Sequence, residues 1–197
     1  MIGIDALVRR RLLMDFEKRL IKVEDASIPA KWLADEIVVT ARRQRGQLIL
    51  THVKAGSFAL DAVIDTGAQL SVGNPKLREK LARHGRAFQT IDVIGVTGKR
   101  IQLDVAVLPE LQIGSIVIHN LPIAFADLPP FHVFGIADEP ALFLGTDVLE
   151  KFRKVSLDFQ ARKVRFQLRR CASAGVIIQT MTTGYTTRMS SNGDACT

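Results

Sequence analysis

The chain has 197 residues, 27 Lys and Arg against 20 Asp and Glu, a formal net charge of +7 and 47% apolar residues. That length suits one domain with appendages and a real core, and the absence of any run of about 18 apolar residues excludes a helical membrane span. The two cysteines, Cys171 and Cys196, both lie in or beside the last polar stretch, which excludes a disulfide framework for the core. His52, His84, His119 and His132 are scattered without ligand spacing, so no metal site is expected. Near the start, Arg9-Arg10-Arg11 follows the apolar residues, the wrong order for a secretory signal, and the expected compartment is the cytoplasm.

The charge is unevenly spread. Residues 1–54 carry 11 basic against 7 acidic groups, residues 55–150 carry 7 against 11, and residues 151–170 carry 8 against 1. Basic ends around an acidic centre could steer a nucleic acid or another anionic partner. No aromatic interleaving or nucleic-acid motif accompanies them, so a solvated surface is the expectation and nucleic acid is not an expected partner.

Residues 4–24 predict an amphipathic helix, with Leu13, Phe16, Leu20 and Val23 at spacings of three and four and basic residues between them. Ser27 and Pro29 open a second short helix through Trp32, and residues 1–46 together form a helical arm for docking or regulation. A membrane-surface role is the weaker reading of that arm, because Asp15, Glu17 and Glu24 dilute its basic face.

From Gln47 the apolar period changes to two. Gln47–Lys54 and Phe58–Ile64 form a hairpin around Ala55-Gly56-Ser57, and the second strand runs straight into Asp65. Gln69–Gly73 is a return loop, and Pro75–His84 is a helix that stops before Gly85. Ile91–Val96 and Ile101–Val107 form a second hairpin. Gly95 and Gly98 bracket its Val96-Thr97 tip and allow it to move as a lid, although an ordinary surface hairpin has the same pattern.

Leu111–Ile113 and Ile116–Ile118 form a third hairpin around Gly114-Ser115, followed by a strand at Leu121–Ala126. Gly56-Ser57 and Gly114-Ser115 therefore occupy similar places, an internal two-fold echo of hairpin, return loop and helix. Residues 127–140 are a loop, Ala141–Leu144 is an apolar strand ending at Gly145, and Thr146–Phe152 begins a helix with Asp147 in its first turn. Val155–Phe159 and Val164–Leu168 close the fold as a last hairpin, which sets the central domain at 47–170. The Thr/Ser/Gly/Met-rich stretch 171–197 is expected to be a flexible tail.

The centre of this arrangement is Asp65-Thr66-Gly67-Ala68. Asp-x-Gly alone is a common turn element. A carboxylate at the end of a buried-looking strand nevertheless costs several kcal/mol to desolvate unless its charge is paired or shared. Acid-pair hydrolysis supplies such a reason: an ionised carboxylate takes a proton from water while a protonated one hydrogen-bonds the scissile carbonyl. One Asp-Thr-Gly is present, and Gly145-Thr146-Asp147 has the three residue types in reversed order, so the second acid has to come from another chain.

The order of parts resembles the retropepsin-like aspartic proteases. The resemblance covers Gln47 to Leu168 and is carried by Ala62-Val63-Ile64-Asp65-Thr66-Gly67-Ala68, by the glycine-bracketed hairpin at 91–107, and by Leu142-Phe143-Leu144-Gly145-Thr146-Asp147-Val148-Leu149 leading into Val155–Phe159. It implies a mainly β, closed-barrel-like fold of hairpins with two short helices. It implies Asp65 as the catalytic acid and Gly67 as a donor to its carboxylate. Thr66 would bond across a subunit boundary, Ala68 would support the loop, Leu144-Gly145 would be the second half-motif, and Gly95-Val96-Thr97-Gly98 would be the flap. It further implies a homodimeric endopeptidase acting on extended peptides, with no cofactor or metal. Gln69, where many relatives carry a small hydroxyl or acidic residue, and the basic N-terminal arm depart from the pattern. A module that keeps the fold for dimerisation or peptide binding without cutting is the alternative.

Overall fold

The computed structural model describes residues 7–30, 36–94, 100–169, 177–182 and 185–188. It begins with a hairpin, not a helix. β1 (Arg10–Asp15) and β2 (Leu20–Asp25) pair antiparallel, and β1 also pairs with β11 (Phe152–Asp158), setting Met14 beside Val155 and Leu12 beside Leu157. The expected amphipathic helix over 4–24 is thus corrected. The apolar spacing of three and four arises because a turn at residues 16–19 separates two strands whose own alternation, Leu12/Met14 and Ile21/Val23, faces one side of the sheet. Ser27–Ala30 is not helical, and the remainder of the second expected helix, including Trp32, lies outside the described residues.

β3 (Glu36–Gln44), expected as part of the arm, is a full strand of the domain. Its first half pairs with β12 (Lys163–Leu168) and its second half with β4 (Gln47–Ala55), so it passes from one part of the sheet to the other. β11 and β12 form the last hairpin as expected.

The centre of the fold carries the two-fold echo. β4 and β5 (Phe58–Ile64) make one hairpin, and β8 (Arg100–Ile113) and β9 (Ile116–Phe125) make the other. Both turn on a glycine with positive φ, Gly56 at +58° and Gly114 at +59°. β6 (Val72–Gly73) then runs parallel to β9, and β10 (Ala141–Leu144) runs parallel to β5, so the strand following each half lies beside the inner strand of the other. The strand runs expected at 101–107 and 111–113 are continuous in β8, and those at 116–118 and 121–126 are continuous in β9.

This crossing explains why the central strands lack alternation. Ala62, Ile64, Leu142 and Leu144 face the main core, while Ile49, Val63, Ala141 and Phe143 face a second apolar layer completed by Phe131 and Ile136. A strand buried on both faces reads as a continuous apolar run. The second layer is covered by α2 (Pro129–Val133), a short helix inside a segment expected as loop, whose Phe131 ring lies 4.5 Å from that of Phe143. α1 (Pro75–Arg83) buries Leu77 and Leu81, and α3 (Thr146–Leu149) buries Val148 and Leu149.

β7 (Gln89–Ile94) pairs with β8 as the expected second hairpin, whereas Gly95-Val96-Thr97-Gly98 lies outside the described residues. Part of the expected flexible tail is ordered as strands: β13 (Ile177–Thr182) pairs with β9 and β14 (Tyr185–Arg188) pairs with β13. The β-branched Ile177, Ile178, Thr180 and Thr182 favour that extended pairing. Among the described residues, no helix is long and apolar enough to cross a membrane.

Candidate active site

Asp65 stands one residue beyond β5, where the parallel pairing of Ile64 with Leu144 ends. Its N–H donates to the Leu144 carbonyl at 2.9 Å, which extends the ladder by one bond and fixes where the carboxylate leaves the sheet. The chain then turns, and the Gly67 N–H donates to Asp65 Oδ1 at 2.9 Å. A Cβ on Gly67 would sit 3.3 Å from that same oxygen, so a side chain here would crowd the bond. Asp65 and Ala68 are half-buried, while Thr66 and Gly67 are exposed. The carboxylate expected at the end of a buried-looking strand is thus only half-buried. The turn after β5 leaves the layers of the core, and its outer face is open in a single chain.

The loop is held from below by the second half-motif. Ala68 O accepts from the Thr146 N–H at 2.9 Å and from its hydroxyl at 3.2 Å, and Gln69 O accepts from the Asp147 N–H at 3.0 Å. Gly145 permits this closeness: a Cβ there would lie 2.7 Å from both the carbonyl carbon and the oxygen of Leu70, backbone atoms that cannot rotate away. The sequence-predicted Asp65, Gly67, Ala68, Leu144 and Gly145 thus meet in one place, although some eighty residues separate the two groups.

Residues 52–148 match the model of the aspartyl protease family, a segment that takes in both the Asp65 turn and the Leu144-Gly145 half-motif. Over this segment the chain is similar to the aspartyl proteases. The hairpins, crossing strands and short helices of this segment follow the order of parts expected from the sequence. No curated protein matches the chain. Among solved structures, a retropepsin-like aspartic protease from Rickettsia conorii is similar at 18% identity with a TM-score of 0.47, over 71% of this chain and 97% of that one.

Three residues to which sequence reasoning gave no part in holding this loop organise it. Asn74 is fully buried and caps α1, its Oδ1 accepting from Leu77 N at 2.9 Å and from Ala141 N at 3.1 Å. Its Nδ2 donates to the carbonyls of Ile136, Ala137 and Glu139. Asn followed by Pro75 is an N-cap signature that could have revealed it. Ser71 and Asp147 are the other two: Asp147 Oδ2 accepts from Ser71 N at 3.0 Å, and Asp147 Oδ1 accepts from the Ser71 hydroxyl at 2.8 Å. No local signal marks that pair, since its two members are 76 residues apart.

The stem of the β7–β8 hairpin is tied to α1. Asp104 on β8 accepts from Arg78 Nε at 2.8 Å and from the Thr90 hydroxyl at 3.2 Å, and the Arg78 guanidinium lies 4.7 Å from the centre of the Phe88 ring. Ile91 and Ile101 are exposed at 37% and 46%, so one side of the stem offers apolar surface. Among the described residues, no group of three His, Cys, Asp or Glu side chains is arranged to hold a metal ion.

Proposed function

We propose that the chain is an aspartic endopeptidase that hydrolyses peptide bonds with Asp65 and the Asp65 of a second copy. The observation that carries this reading is the Asp65 turn itself: a carboxylate held by the Gly67 N–H at 2.9 Å, on a turn whose Thr66 and Gly67 are exposed. An open face next to a half-buried acid is what a two-fold partner needs in order to bring an identical acid alongside. In such an isologous contact each copy offers the same patch. Two carboxylates a few ångströms apart cannot both ionise cheaply, so the pair shares one proton.

The chemistry follows from that shared proton. The ionised member takes a proton from a bound water, and the resulting nucleophile attacks the scissile carbonyl carbon. The protonated member donates to the carbonyl oxygen, giving a neutral gem-diol. Collapse of that intermediate breaks the C–N bond, and a carboxyl proton goes to the leaving nitrogen as the amine departs. The substrate lies extended, bonding by its backbone to the β7–β8 hairpin, with apolar side chains against the Ile91 and Ile101 surface. Each step uses protein carboxylates and water.

The exposed turn also fits a second reading, a module that binds peptides or its own copy without cutting. A peptide library incubated with wild type and with Asp65→Asn at several acid pH values separates the two. The enzymatic reading expects cleavage of unstructured, apolar-rich peptides by wild type with a bell-shaped pH profile, and none by Asp65→Asn. Equal cleavage by both proteins, or by neither, contradicts it.

A further inference from the structure

Asp147 was expected to do no more than complement the dipole of a short helix. Its contacts show a different employment. Oδ2 accepts from Ser71 N at 3.0 Å; Oδ1 accepts from the Ser71 hydroxyl at 2.8 Å and from Val148 N at 2.9 Å. The Ser71 oxygen accepts in turn from Gly145 N at 3.1 Å, and Asp147 N donates to Gln69 O at 3.0 Å. Ser71 is fully buried. These bonds close a ring between the far end of the Asp65 loop and the start of α3.

We infer that Asp147, acting through Ser71, is the positioning residue that sets the height and stiffness of the Asp65 loop. The inference rests on the endopeptidase reading for its catalytic consequence, but its structural part stands apart from it. The loop from Thr66 to Leu70 is largely exposed, with Leu70 at 40%, so little apolar burial holds it. Its hydrogen bonds to residues 144–147 are what remain, and those made or received by Asp147 form the share nearest the C-terminal end of the loop.

The carboxylate is required in a way that an amide cannot meet. Ser71 N and Val148 N are both donors, and they approach different oxygens of the same side chain. An amide has one acceptor oxygen, so in Asp147→Asn one backbone N–H faces an NH2 group whichever way the new side chain is turned. A donor left facing a donor in a partly buried place loses its bond and its solvation together. Asp147→Asn is thus a near-isosteric change with a local and directed fault, and it leaves the apolar residues of α3, Val148 and Leu149, in place.

The test is backbone hydrogen exchange by mass spectrometry on the full chain, wild type beside Asp147→Asn, Asp147→Ala and Ser71→Ala, with kcat and KM on a cleaved peptide measured in parallel. Exchange over residues 65–71 is expected to accelerate about tenfold or more in Asp147→Asn while β3, β11 and β12 keep wild-type protection. kcat is expected to fall about a hundredfold with KM within about threefold, because loop displacement harms alignment more than binding. Combining Ser71→Ala with Asp147→Asn is expected to cost no more than Asp147→Asn alone, since both break one ring.

Unchanged exchange at 65–71 in Asp147→Asn overturns the inference. So does acceleration spread evenly over the whole chain, which marks general destabilisation. Wild type that cleaves nothing defeats the endopeptidase reading, while the exchange result still decides whether Asp147 holds the loop.

Discussion

Gly145→Ala tests the close approach beneath the Asp65 loop. The backbone at this residue has φ −80° and ψ −178°, an extended conformation open to alanine, so the substitution probes space and not torsion. The added Cβ would meet Leu70 C and O at 2.7 Å and Asp147 Oδ1 at 3.0 Å. Relief requires Leu70 to move by roughly 0.7 Å to reach ordinary van der Waals contact. That segment is pinned on both sides, by Asp147 N to Gln69 O and by Ser71 N to Asp147 Oδ2. Overpacking of this kind costs about 1–3 kcal/mol, and weakening two hydrogen bonds adds about 1–2 kcal/mol. The lost unfolded-state freedom of glycine returns about 0.4–1 kcal/mol, leaving a net loss of about 1–5 kcal/mol, centred near 3 kcal/mol. Urea unfolding followed by circular dichroism reads this as a midpoint lowered by about 1 M or more at unchanged slope. Gly56→Ala is the contrasting control, because its Cβ meets nothing within 4 Å and only its φ of +58° opposes the change. Gly145→Ala within about 0.5 kcal/mol of wild type would refute the packing argument.

Three further outcomes are expected. Asn74→Ala strands five backbone groups that this buried side chain now satisfies, and is expected to lose about 3–5 kcal/mol in urea unfolding. Asp158→Asn leaves the Arg11 guanidinium, now 3.1 Å from the buried Asp158 carboxylate, without its main counter-charge, and is expected to cost about 2–4 kcal/mol. Burial by itself would raise the pKa of Asp15, but the Lys18 N–H and the Lys154 ammonium outweigh it and hold the carboxyl below its ordinary 3.8. The folded chain then binds that proton less tightly than the unfolded chain, so the contribution of Asp15 is fully present above that ordinary value. It is lost as pH falls through the folded one. A stability profile from about pH 5 down to pH 2 is expected to drop less steeply in Asp15→Asn than in wild type, and parallel profiles would contradict the assignment.

The parts of the fold visible in the sequence were those whose local pattern and tertiary role agree. Pro75 with Leu77 and Leu81 announces α1, Gly56 and Gly114 announce the two central hairpins, and Ile64 delivers Asp65 to its turn in the place the motif implies. The N-terminal hairpin failed because two strands joined by a four-residue turn mimic helical spacing. Its decisive partner, β11, is about 140 residues away, so the correct period was not a local property. The Ile37-Val38-Val39-Thr40 run did carry a β-branched signal for β3, masked by assigning everything before Gln47 to one arm. At the site, Asp65, Gly67 and Gly145 were legible because each has a motif. Ser71 and Asp147 were not, because their contact exists only once α3 is folded against the loop. The cost assigned to a buried Asp65 was too high for the same reason: sequence shows where a strand ends, and not how far its last residue projects beyond the core.

The claim that Asp65 works with a second Asp65 is tested most directly by mixing. Wild type and Asp65→Asn chains are unfolded together, refolded in equal amounts at fixed total concentration, and assayed on a cleaved peptide against wild type alone. If each site needs one acid from each copy, random pairing leaves about a quarter of the activity. Half of the activity would show that each wild-type chain cuts by itself and would contradict the account.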